Sequence, residues 1–188
     1  MSKRPRTLKG HVLFQILTKA IYTTFTRAIK EAVSNAYDAG ANIVEITFDP
    51  PTFLKDQAPS ELTIQIRDDG KGMSQEDFWE RFASIDSEKD PTKKDPTTGR
   101  FPIGKFGIGS FALVPFSLGL TIFSRKFNEA PIRCVIHTDK LMEKTSDDFP
   151  DHVSKSIKDQ KISVDEWETV FGSTDSGTVI VIQGITKE

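Results

Sequence analysis

Between Val12 and Ala39 apolar side chains recur every three or four residues, at Leu13, Leu17, Ile21, Phe25, Ile29, Val33 and Ala36. That spacing keeps one face of an α-helix apolar and predicts a long helix, or two abutting ones, over 12–39. Gly40 stops it. Directly afterwards the period drops to two, Ile43, Glu45 and Thr47 alternating with Val44, Ile46 and Phe48, which is the pattern of a half-buried strand. A chain that opens this way has to lay a helix against a sheet.

The rest of the order follows from the same two periods and from the breakers between them. Pro50, Pro51 and Pro59 mark a loop, and Leu62 to Arg67 is a second alternating strand that ends at Asp68. Ser74 precedes Asp77 in a capping-box pattern, predicting a short helix through Phe82. Ser84 to Pro102 has almost no apolar period and holds Pro91, Pro96 and Gly99, the composition of a mobile loop. Gly107 to Phe116 predicts a helix kinked or ended near Pro115. Strands are expected over Leu118–Arg125, Ile132–Thr138 and Gly177–Gln183, with a short helix over Asp165–Phe171. Lys140 to Lys161 is polar and gives no pattern. Helices cluster early and strands late, so the expected class is an α+β sandwich of one domain over 1–188.

Composition removes several function classes. Twenty-five Lys plus Arg stand against 27 Asp plus Glu, for a net charge of -2, without the basic excess of a nucleic-acid binder that uses its whole surface. One cysteine, Cys134, excludes an intramolecular disulfide, and with three histidines, His11, His137 and His152, there is no Cys/His metal cluster in the sequence. This suits a reducing compartment, the cytoplasm, or the nucleus of a eukaryotic cell. The basic start followed by Val12 to Leu17 imitates a signal peptide, but Gln15 and Lys19 interrupt it and the helical period runs on. Phe106 to Ser124 carries no charge, yet Gly107, Gly109, Pro115 and Gly119 break it, so no membrane span is expected.

Three clusters can carry chemistry. At 100° per residue Glu31, Asn35 and Asp38 fall within an arc of about 60° on the first helix, opposite the centre of the Ile29/Val33/Ala36 stripe. Alone, they read as a solvated face. Asp68-Asp69-Gly70-Lys71-Gly72-Met73 follows a strand directly; a carboxylate there can accept a hydrogen bond from an exocyclic base amine, while the glycines let the backbone approach a flat ligand. Gly104-Lys105-Phe106-Gly107-Ile108-Gly109-Ser110 opens a helical segment, where backbone N–H groups can hold phosphate. Two better-known phosphate motifs fail. Gly99 to Lys105 fits G-x-x-x-x-G-K, but Phe106 stands where Ser or Thr must hold magnesium, and Ala112 takes the third glycine of G-x-G-x-x-G.

Taken in order, Glu31-x-x-x-Asn35-x-x-Asp38-Ala39, Asp68-x-Gly70-x-Gly72, Gly104-x-x-Gly107-x-Gly109 and a distal Gly177-Thr178 resemble the nucleotide-binding boxes of the GHKL ATPase superfamily of gyrase, Hsp90, histidine kinases and MutL. The stretch from Asp38 to Ile46 is most similar to MutL-type and MORC-type chains; Glu31 to Asn35 and Gly104 to Gly109 are similar to Hsp90 chaperones. The resemblance implies a Bergerat fold, a mixed sheet with helices on one face, that binds ATP and Mg2+. It implies that Asp68 holds the adenine amino group, helped through water by Thr178, with Gly70, Gly72 and Met73 alongside. It implies that Asn35 binds the magnesium and that Glu31 takes a proton from the attacking water. Asp38 supports the helix face rather than touching ATP. Gly104, Lys105, Phe106, Gly107, Ile108 and Gly109 would wrap the phosphates within a lid over about 84–106, Lys105 either reaching them or staying solvated.

The function so implied is a Mg-dependent ATPase acting as a nucleotide-gated switch. It would form a homodimer with ATP and drive attached domains toward a protein client or DNA, and it would be slow as an isolated domain. Two alternatives stay open: a kinase of the same superfamily working in trans, since only ten residues precede His11, and a nucleotide sensor without turnover. In gyrase-like and MutL-like relatives a lysine from a further domain completes the phosphate site; with five residues after the last expected strand, the chain is expected to be the N-terminal part of a longer protein, or a stand-alone relative.

Overall fold

The computed structural model describes residues 24–48, 62–82, 90, 92–103, 109–144 and 148–185. Helix α1 spans Phe25–Asp38 and starts at Thr24, whose hydroxyl accepts the Arg27 N–H at 3.3 Å. The part of the expected helix before Thr24, and the proline loop, lie outside the described residues. The helix buries Ala28, Ala32 and Ala36, so the face against the sheet is made of small residues. Ile29 packs only partly against the core. The buried face is thus turned by about 65° from the stripe of Ile29, Val33 and Ala36.

Six strands form one sheet: β1 (Val44–Phe48), β2 (Thr63–Asp68), β3 (Ser117–Arg125), β4 (Ile132–Ile136), β5 (Ile157–Lys161) and β6 (Gly177–Ile185), in the order β1-β2-β6-β3-β4-β5. Every pairing among them is antiparallel, where a mixed sheet was expected. The reason lies in β6. Strands β2 and β3 run the same way, as strands joined through a helical crossover do, but β6 lies between them and is antiparallel to both.

The α+β class is observed, with the helices placed differently from the one-sided expectation. Helix α1 covers one face together with α3 (Thr138–Met142) and α4 (Phe149–Ser156), through a core that includes Ile64, Ile66, Leu120, Ile122, Leu141, Val153 and Ile182. The opposite face is covered by α5 (Val164–Phe171), whose Trp167 and Phe171 stack at 4.7 Å and pack with Phe123, Val179 and Val181. Strand β6 is apolar at both parities and β3 adds Phe123 on the second face, so both faces of the sheet's centre need a cover.

Short elements complete the chain. Ser74 closes a capping box with Asp77 at the start of α2 (Gln75–Asp77), which runs on into a π-helical turn through Phe82. Where one helix was expected up to Phe116 there are two 3₁₀ turns, Gly109–Phe111 and Val114–Phe116, because Pro115 has no N–H to continue a ladder. Among the described residues no helix is long and apolar enough to cross a membrane.

Candidate functional site

Strand β2 ends at Asp68, which sits opposite Thr178 of β6, and Thr178 sits opposite Ser124 of β3. Three neighbouring strands therefore deliver a carboxylate and two hydroxyls in one row, all buried. The Ser124 hydroxyl donates to the Gly177 carbonyl at 3.0 Å, lies 3.0 Å from the Thr178 hydroxyl and accepts the Met73 N–H at 2.9 Å. This network ties the glycine turn after β2 to the middle of the sheet.

The turn leaves no room for other residues. At Gly72, φ is +66° and a Cβ would stand 1.8 Å from the Arg125 carbonyl oxygen. The Gly70 N–H donates to Asp68 Oδ1 at 3.0 Å. Asp69 faces the other way, its Oδ1 accepting the Asn42 and Ile43 N–H groups at 2.7 and 2.8 Å, and the Lys71 N–H donates to the Ala39 carbonyl at 2.9 Å. The turn is thereby fastened to the end of α1. Burial pushes the Asp68 carboxyl up to about 6, the Gly70 N–H working against it and the neighbouring Asp69 charge adding to the rise. Such a group is costly to keep ionised until a donor meets it.

Asp68, Thr178, Gly72 and Met73 open onto a cavity of about 600 Å³, whose other wall is the Glu31–Asn35–Asp38 face of α1, with Gly109 beside it. That face lies about 90° from the buried alanines rather than opposite the core, which puts it at the edge of the sheet packing and not in bulk solvent. A Cβ on Gly109 would lie 2.2 Å from Glu31 Oε1, so the chain passes the carboxylate at a distance only glycine permits. Asp38 is buried, lines the cavity and accepts the Ile103 N–H at 2.8 Å, a tie to the loop. Gly70 adjoins the cavity through Asp68 and Ala39. Gly104, Lys105, Phe106, Gly107 and Ile108, and residues 84–89 of the expected lid, lie outside the described residues.

Several residues at or behind this cavity were not singled out from the sequence. Ser124 does not line the cavity but stands fully buried behind Thr178, an inward-facing hydroxyl on a strand whose inward residues Leu120 and Ile122 are otherwise apolar, and that parity could have flagged it. Lys126 contacts Asp77 Oδ2 at 2.8 Å at the rim; burial would raise the Asp77 carboxyl, but Lys126 and Ser74 hold it down at about 2. Arg100, from a loop without periodicity, gives no sequence signal. Chemically, the cavity offers a shielded acceptor at one end and a carboxylate and an amide one helical turn apart on the facing wall. Lys71, Lys93, Lys94 and Lys126 stand around it. No group of three or more His, Cys, Asp or Glu among the described residues is arranged to hold a metal ion by itself.

The sequence matches, over residues 22–174, the family described as "Histidine kinase-, DNA gyrase B-, and HSP90-like ATPase". Among solved structures, the "Crystal Structure of N terminal domain of a DNA repair protein" is similar with a TM-score of 0.52 and 18% identity, covering 92% of this chain and 39% of that one. At that identity the likeness shows the fold, and this chain spans well under half of the length of the protein it resembles. No curated protein is similar enough to match.

Proposed function

Given that this chain belongs to the histidine kinase-, DNA gyrase B- and HSP90-like ATPases, we propose that its cavity binds the adenine of ATP at the Asp68 end and directs the phosphates along the Glu31–Asn35 wall. One observation carries this reading: a buried carboxylate, with two hydroxyls beside it across adjacent strands, faces a cavity large enough for a nucleotide. A carboxylate whose charge burial makes expensive is well matched to an exocyclic amine, which restores the hydrogen bond lost with water. The hydroxyl of Thr178 lines the cavity beside it and can serve as donor or acceptor, with Ser124 holding it from behind.

The donor set also fits magnesium brought in by the nucleotide. Mg2+ takes oxygen ligands, keeps several waters and is held largely through substrate phosphates, so a single amide oxygen from Asn35 suffices on the protein side. When bound, the ion supplies charge neutralisation for the phosphates. Glu31, one turn before Asn35 on the same face, holds the proton released by the attacking water. Gly104 to Gly109 contribute backbone N–H groups to the phosphates, and Lys93 and Lys94 add positive charge from the loop. Hydrolysis is slow in the isolated domain, and nucleotide-dependent pairing of two copies passes the state of the site to attached domains. A solved relative in fold is titled as part of a DNA repair protein, which makes DNA one substrate class to examine.

Calorimetric titration of ATP and of adenosine into the wild type and Asp68→Asn tests the base end directly. A buried acceptor replaced by an amide should cost both ligands at least about tenfold in affinity, as expected from about 1–3 kcal/mol for an unmatched buried polar group. Unchanged binding of both would refute the assignment.

A further inference from the structure

The loop after residue 92 is held to helix α1 by one side chain from the loop and one from the helix. Arg100 spreads its guanidinium over the C-terminal end of α1: Nη1 donates to the Tyr37 carbonyl at 3.1 Å and to the Ala41 carbonyl at 2.7 Å, and Nη2 donates to Asn42 Oδ1 at 3.1 Å. The same plane lies 4.8 Å from the Tyr37 ring centroid. Helix α1 has no basic residue in its last turn, so the positive charge that its carbonyl end favours comes from Arg100, far along the chain. Three residues later Asp38 accepts the Ile103 N–H. Within the loop the Asp95 N–H donates to the Arg100 carbonyl at 2.8 Å, and Asp95 Oδ1 caps the Thr97 and Thr98 amides, so the arginine and the turn form one unit. Thr98 packs against Gly40, where a Cβ would come within 3.0 Å of its methyl group.

From these contacts we infer that Arg100 is a positioning residue of the nucleotide site. Its fork, rather than its charge alone, holds residues 95–103 as a wall of the cavity and keeps the loop cations against the phosphates. The inference rests on the nucleotide reading for its functional half, and on geometry alone for its structural half. Pro102 and Asp95 line the cavity from this wall, and Lys93 and Lys94 line it immediately before Asp95, Lys94 lying 5.4 Å from the Phe101 ring centroid, so the wall that Arg100 fixes sets where these two cations stand. The turn that receives Arg100, Tyr37 to Asn42, also receives the Lys71 N–H and the Asp69 carboxylate from the base end. One short turn thus sets both the base pocket and the loop. A lysine at position 100 keeps the charge but cannot satisfy two carbonyls and an amide oxygen from one plane.

Arg100→Ala and Arg100→Lys should be compared with the wild type in three measurements: ATP affinity, adenosine affinity, and hydrogen exchange of residues 95–103 without ligand. Both variants are expected to bind ATP about tenfold more weakly, to bind adenosine within about twofold of the wild type, and to exchange the loop amides faster. Arg100→Lys behaving as the wild type in ATP affinity and exchange would overturn the inference, since charge would then suffice. Adenosine affinity falling in parallel with ATP would reduce the effect to general damage, and unchanged exchange or unchanged ATP affinity in both variants would remove the positioning role. A wild type that binds neither ligand would sink the nucleotide reading instead, and the exchange comparison would still decide whether Arg100 fixes the loop.

Discussion

The two ends of the cavity are held in opposite ways. At the base end, Asp68, Thr178 and Ser124 are registered by the ladders of three adjacent strands, and displacing any one of them means breaking the sheet. At the loop end, residues 95–103 are held to α1 through the Arg100 guanidinium and the Ile103 amide, with a 3.9 Å pair between Lys71 and Asp95 across the gap. The first arrangement is made by backbone ladders and the second by side-chain contacts. On the proposed reading, the base would be held by the sheet itself and the phosphates by a wall that depends on a few side-chain contacts.

The largest effect is expected where the two ends meet, at Glu31. In Glu31→Ala, ATP hydrolysis should fall about 10²–10⁴-fold, the usual contribution of a general base, while affinity stays within a few fold. Single-turnover kinetics would show it; hydrolysis at the unmodified rate would exclude Glu31 as the base.

Gly72 and Gly99 sharpen the comparison because they share one backbone conformation, with φ of +66° and +67°. A Cβ on Gly72 would strike the Arg125 carbonyl, whereas one on Gly99 would meet nothing within 4 Å. Denaturant unfolding should therefore show a loss of about 2–5 kcal/mol for Gly72→Ala, combining left-handed strain with overpacking. Gly99→Ala should lose only about 1 kcal/mol, from strain alone. Equal losses would mean that the base end is no more rigid than the loop.

The pH dependence separates the ends again. Asp68 titrates near 6 in the free protein, and an ionised carboxylate is the better acceptor for the base. Adenosine, which has no phosphate to titrate, should bind about tenfold more weakly at pH 5 than at pH 7, and Asp68→Asn should flatten the profile. The stability of the free protein moves the other way. Because the folded state holds the proton more tightly than the unfolded chain, Asp68 favours folding below about pH 4 and that contribution is lost as pH rises through 6. Asp68→Asn should accordingly raise ligand-free stability at pH 7, by an amount on the order of 2 kcal/mol, while it weakens binding. A thermal shift in the wrong direction would argue that Asp68 is not desolvated.

A smaller effect is expected in proteolysis. Trypsin should cut the free protein at Lys93, Lys94 or Arg100, and a non-hydrolysable ATP analogue should slow that cutting several-fold; equal rates would detach the loop from the site.

Much of this architecture could be read from the chain because its signals are local. The stripe of α1, the alternations of β1 and β2, and the capping box at Ser74 each depend on neighbours within a few residues; both strands and the C-terminal end of α1 appear within one or two residues of the expected limits, while the expected start of the helix lies outside the described residues. The glycine turn and the polar face of α1 were legible for the same reason. What stayed hidden depends on partners far away in sequence. Strand β5 is Ile-Lys-Asp-Gln-Lys, an edge strand defined by backbone pairing to β4 and kept polar as exposed edges are, so no apolar alternation marks it. The rotation of α1 toward Ala28 and Ala32 depends on what the helix meets, including the 3₁₀ turn Gly109–Phe111 more than seventy residues downstream, and no local period carries that. Arg100 gains its meaning from carbonyls some 60 residues upstream.

Strand β6 has a consequence for how the protein is made. It is the last strand in the described chain, yet it lies in the interior of the sheet, pairs with β2 across more than 100 residues and brings Thr178 to Asp68. On a ribosome, everything up to β5 can emerge while the centre of the sheet is still missing, leaving β2 and β3 with unpaired inner edges. Such long-range closure is slow, and edges left open during synthesis invite association with other chains. The Asp68–Thr178 pair therefore forms only after β6 has been made, so the cavity is completed later than any of the strands before it.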